Sequence, residues 1–151
     1  GEERVAALAR TFFREYAAKQ NAIFSALPDI ISGLGADDGV SAEDFARVIG
    51  FLLELVRKER QHADLLRRLL ERFVHSEQSP RQWAFTATAI AQLPFTEKML
   101  RDLVDNPAPY ANKLHVPEVR AAFVGLVARL RRGKPELRPL VDKLEAVVAE
   151  E

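Results

Sequence analysis

A chain of 151 residues and 17.0 kDa is long enough for one domain with a substantial core and too short for two. Its 22 Lys and Arg balance 22 Asp and Glu, which argues against a globally basic nucleic-acid binder and against an acidic tail protein. Hydrophobic residues make up 48%, enough to drive folding, and the absence of Cys removes disulfides, thiol catalysis and Cys-ligated zinc.

The opening, GEERVAALAR, is charged at once and lacks the apolar core of a signal peptide. No apolar run approaches the ~20 residues needed to span a bilayer. With Gly1 in the first position, the sequence is expected to be a soluble piece of something larger.

Helical periodicity recurs from end to end, and strand signals are nearly absent. Val5, Leu8, Ala9, Phe12, Phe13 and Tyr16 share one helical stripe, with Val5 and Leu8 expected on an outer edge. Ile23, Phe24, Leu27, Ile30, Ile31 and Leu34 form the second stripe, with Asn21 as a candidate cap. Pro28 lies inside it and predicts a kink or a late start. The glycines from Gly33 to Gly39 read as a helix end followed by a turn, since neither a P-loop nor an EF-hand pattern fits them.

Ser41 opens the third helix, with Glu43 and Asp44 where the helix dipole favours acids. The fourth stripe is Leu65, Leu66, Leu69, Leu70 and Phe73. Ser79-Pro80-Arg81-Gln82 is a capping-box pattern with Pro at the first helical position. In the helix it opens, Trp83 and Phe85 are two apart and cannot share one narrow stripe. Thr96-Glu97 starts a short helix that ends near Asn106-Pro107. Pro117 opens another, which Gly133 closes. Leu137, Leu140, Val141, Leu144 and Val148 mark the last.

Helix pairs open near residues 3, 41, 79 and 117, thirty-eight apart each time. A helix-turn-helix unit recurring at this interval predicts an all-α fold, an α-solenoid of about four HEAT-like helical hairpins. The alternative is an irregular helical bundle. Phe13, Phe24, Leu27, Ile49, Leu53, Leu69, Ile90, Leu103, Phe123, Leu126 and Leu144 are the expected core. Residues 1–151 are expected to form a single HEAT-repeat domain, as a fragment of a much longer subunit.

Catalytic and metal signatures are lacking. His62, His75 and His115 form no H-E-x-x-H and no i, i+4 pair, so they read as solvated or capping residues. No catalytic, cofactor-binding or metal residue is assigned. Charge is uneven despite the zero total. Residues 1–45 carry four bases against eight acids, residues 57–72 six bases against three acids, and residues 117–138 six against two. The candidate partner- or DNA-binding residues are Arg129, Arg131, Arg132, Lys134 and Arg138, at an inter-helix turn where five cations exceed what one helix end needs. The competing reading is a solvated helix end.

FFREY from Phe12, then KQNAIFSALPDIISGL from Lys19 to Leu34, resembles the C-terminal HEAT region of condensin complex subunit 1, the larger HEAT-repeat non-SMC subunit of condensin I. QLPFTEKMLRDLVDN, from Gln92 to Asn106, and ARLRRGKPELRPLVDKLE, from Ala128 to Glu145, carry the same resemblance. It runs from about residue 8 to residue 148, with local departures at WAFTATA (Trp83 to Ala89) and in the turn at Gly133. The condensin II counterpart has a related region and is the alternative, as is a direct DNA-binding HEAT module. The resemblance implies a scaffold with no catalysis and no cofactor. It implies contacts with the kleisin subunit, an SMC ATPase head and DNA or chromatin, and none with membranes or small substrates. It also implies a role in mitotic chromosome condensation in the nucleus and on chromosomes, partly in the cytoplasm.

Overall fold

A computed structural model describes residues 1–16, 20–56, 59–75 and 77–150. Among them the fold is all-α. The helices are α1 (Glu2–Tyr16), α2 (Gln20–Ala36), α3 (Ala42–Leu53), α4 (Glu59–Arg72), α5 (Pro80–Ala91), α6 (Glu97–Asp105), α7 (Ala108–Ala111), α8 (Pro117–Arg131) and α9 (Arg138–Ala149). A 3-10 turn, Pro135–Leu137, leads into α9. The side chains of Phe13, Tyr16, Asn21 and Ile23, and residues Lys19, Arg57 and Lys58, lie outside what is described.

Ser41, Ser79 and Thr96 cap helix starts as predicted from sequence, whereas Asn21, expected as a cap, lies inside α2, which already includes Gln20. The Ser41 hydroxyl accepts from the Asp44 N–H at 3.0 Å. Ser79 and Gln82 form a reciprocal capping box ahead of Pro80. Thr96 accepts from Met99 N–H at 3.2 Å. Helices α1, α3, α5 and α8 pack in succession as one layer. In the second layer α2 packs on α4, and α6 on α9. The chain is thus an all-α helical-repeat solenoid, with the repeat carried by helix starts in both layers.

The regular stack is modified at α2. Its most extensive contact is with α5, and its contact with α1 is small. The expected helix end and turn within residues 33–39 are found: α2 runs through Gly33 and Gly35 to Ala36 and a turn follows, without any positive φ among the described residues. The two glycines serve different ends. A Cβ on Gly35 would meet the Gln82 Cα at 3.0 Å, so hydrogen alone lets α2 approach the α5 backbone. A Cβ on Gly33 would meet nothing within 4 Å. Pro28 is accommodated inside α2. Its missing N–H leaves the Phe24 carbonyl without its helical donor.

The core is one connected cluster of side chains from all the longer helices. Every expected core residue whose side chain is described is buried in it. Phe45 and Phe85 stack with centroids 4.1 Å apart. Tyr110 stacks on Phe123 at 4.8 Å and donates its hydroxyl to the Leu103 carbonyl at 2.7 Å, so the short α7 is tied to α6 and α8 at once. Burial pushes the Tyr110 pKa up. Of the two residues expected on the outer edge, Val5 is buried and Leu8 is 53% exposed.

Three substitutions test this packing by denaturant unfolding. Phe123→Ala is expected to lower stability by about 3–5 kcal/mol, since a fully buried ring is replaced by a cavity. Gly33→Ala is expected to raise stability by about 0.5–1 kcal/mol through helix propensity, whereas Gly35→Leu lowers it by about 1–3 kcal/mol through overpacking against Gln82.

Candidate interaction surface at the α8–α9 turn

Helix α8 ends without a left-handed glycine. Gly133 closes it as expected, donating to the Leu130 carbonyl at 3.1 Å, but with no positive φ. The chain then turns through Pro135–Leu137, anchored by buried Leu137. All five basic residues singled out in the sequence sit on or beside this turn. The structure gives them three different tasks.

Arg129 points inward. Its Nη2 donates to the carbonyls of Ala91 and Leu93, both at 2.7 Å, and so satisfies the open C-terminus of α5. Burial, and then repulsion from Arg132, pulls its pKa down. Arg131 bridges α8 to α9 through Asp142 and Glu145, each at 2.9 Å. The hydrogen bond it donates to Asp142 is the main force holding its pKa up. The side chains of Arg132, Lys134 and Arg138 are exposed and make no hydrogen bond or ion pair among the described residues. Five cations counted in sequence are therefore three available ones.

The other basic segment is largely committed to its own acids. Arg67 pairs with Asp64 and Glu71, and Arg68 with Asp64 at 3.0 Å. Arg68 also lies over the Phe24 ring at 5.5 Å. Burial raises the Asp64 pKa, but hydrogen bonds from the two arginines outweigh it and hold the carboxyl below its usual value. Arg72 pairs with Asp29 across to α2.

Arginine caps on helix ends were not legible in the sequence. Arg81 donates to the carbonyls of Asp37, at 3.2 Å, and Val40, just beyond α2. Arg120 holds the end of α9 through the Val148 and Glu150 carbonyls. Gln82 and Gln92 reach Ser32 and Ala46 carbonyls in the same way. The partners are 28 to 50 residues away, so no local pattern marks them. His62 contacts the Val56 carbonyl beyond α3, in keeping with a capping role, and His115 contacts Asn112 at 2.8 Å. Phe85 is core, whereas Trp83 is half-buried with the Lys113 ammonium 4.9 Å from its ring. Among the described residues no group of His, Cys, Asp and Glu could hold a metal ion, and no helix is long and apolar enough to cross a membrane.

The fold and this turn define a helical-repeat protein with a charged inter-helix face. A family profile for the non-SMC mitotic condensation complex subunit 1 matches residues 1–91. The chain belongs to that family. It is 40% identical over 146 residues to condensin complex subunit 1 of Xenopus laevis, covering 95% of this chain and 11% of that protein. The human protein of the same name is 39% identical over 146 residues, covering 95% and 10%. The condensin-1 complex subunit of Arabidopsis thaliana is 30% identical over 145 residues, covering 95% and 10%. The chain thus spans about a tenth of the length of the curated relatives it matches. No solved structure matches it.

The split among the five cations is measurable. Arg129→Ala is expected to destabilise the fold by about 1–3 kcal/mol, because two helix-end carbonyls lose a charged donor. Arg132→Ala and Lys134→Ala are each expected to stay within about 0.5 kcal/mol of the parent in the same unfolding experiment.

Proposed function

We propose that this segment is a non-catalytic scaffold of a condensin subunit and that its α8–α9 turn docks an acidic stretch of the kleisin or of an SMC ATPase head. The observation that carries this is the set of three cations, Arg132, Lys134 and Arg138, whose side chains are exposed and unpaired on a chain of zero net charge. Membership of a condensin subunit family supplies the context. A rigid helix pair, braced by Arg131 on Asp142 and Glu145, would present those charges at fixed spacing. On this reading residues 1–151 act as one HEAT-repeat domain of a longer subunit, without cofactor or metal. It would work on chromosomes in the nucleus, with a cytoplasmic pool, during mitotic condensation.

A second reading, direct DNA binding, rests on the same three charges, since guanidinium and ammonium groups also neutralise phosphates. Binding of duplex DNA and of kleisin and SMC-head segments, measured across a salt series, separates the two. The triple variant Arg132→Glu, Lys134→Glu, Arg138→Glu is expected to weaken kleisin or SMC-head binding at least ~10-fold without changing the fold. If DNA is the partner, the same variant flattens the log–log salt slope of DNA binding by roughly 3, about one per lost phosphate contact. Unchanged affinity for all of these probes would leave the turn as a solvated helix end.

A further inference from the structure

The second helix layer is interrupted once. Helix α2 packs on α4 and α6 packs on α9, but α4 meets the short α7 rather than lying substantially along α6. The break leaves a groove of ≈ 540 Å³ between α4 and the α6–α7 segment. A space of this size is within the range of small binding clefts, about 300–1,000 Å³. Its floor is Ala63, Leu66 and Leu70 on one stripe of α4, continued by Val74 in the turn beyond it, and faces Pro109 of α7. Val74 is 64% exposed, the largest value among the exposed large apolar side chains.

The two banks differ in charge. On the α4 side Arg67 is already paired with Asp64 and Glu71. On the α6 side the carboxylates of Asp102 and Asp105 are exposed and have no hydrogen bond or ion pair among the described residues. The Asn106 amide lies at the same bank. An apolar stripe flanked by two uncompensated carboxylates is complementary to one class of occupant.

We propose that this groove docks an amphipathic helix of a partner protein, with aliphatic anchors on the α4 stripe and Lys or Arg facing Asp102 and Asp105. The apolar face supplies burial and the carboxylates set polarity and partner choice. The surface is opposite in charge to the α8–α9 turn and shares no residue with it, so the inference does not rest on the function proposed above.

Two amidated helical peptides of about 18 residues test it, sharing one Leu stripe of i, i+3, i+4 spacing and carrying either Lys or Glu elsewhere. They are titrated into the isotope-labelled chain by NMR and measured by fluorescence anisotropy. The Lys peptide is expected to shift resonances of Leu66, Leu70, Val74 and α6, and to bind roughly 10-fold tighter than the Glu peptide. Asp102→Lys with Asp105→Lys should abolish that preference, and Val74→Asp should weaken both peptides. Shifts centred elsewhere, or equal affinities for the two peptides, overturn the proposal. So does a concentration-dependent dimer that Val74→Asp dissolves, which would assign the groove to a second copy of this chain.

Discussion

The approach of α2 to α5 sets the arrangement of the helices around it. Two helices pack closely only where one offers no side chain at the crossing, and Gly35 does this against the Gln82 backbone. Once α2 sits there, Gln82 reaches the Ser32 carbonyl and Arg81 reaches the carbonyls that follow α2. The same α5 then stacks Phe85 on Phe45 of α3 and packs broadly on α8. Position 35 therefore links the first half of the chain to the second.

Stacked helices raise a recurrent problem, because each helix leaves carbonyls unsatisfied at its C-terminus. Left-handed glycine caps would serve, yet none occurs among the described residues. Side chains from neighbouring helices take that role, with Arg81, Arg120 and Arg129 each satisfying two or more carbonyls. A guanidinium suits the task because it offers several donors and positive charge to the negative end of a helix dipole. The consequence is functional as well as structural. Charges that look available in the sequence are consumed holding helices together, and only the remainder can meet a partner.

Part of that remainder gathers on two surfaces of opposite sign. Arg132, Lys134 and Arg138 form a basic face at the α8–α9 turn, while Asp102 and Asp105 flank an apolar groove beside α4. A chain with zero net charge thus keeps local fields of both signs. A scaffold meeting more than one partner can use that separation to keep each partner on its own surface.

The sequence by itself determined the longer helices, three of their caps and their recurrence. Ser41, Ser79 and Thr96 act on backbone groups three residues away, and apolar stripes follow from helical period alone, so local reading sufficed. The resemblance to the condensin subunit was likewise carried by contiguous motifs. Tertiary structure decided the rest. Gly33 and Gly35 look alike in sequence and both read as a helix end, but only the neighbouring α5 distinguishes an open position from a required one. The basic turn was located from sequence, yet its division into a cap at Arg129, a brace at Arg131 and three available cations depended on Ala91, Leu93, Asp142 and Glu145. The reason is range: capping and periodicity act over three or four residues, whereas the partner of a long side chain or of a missing Cβ is chosen by which helix lies beside it.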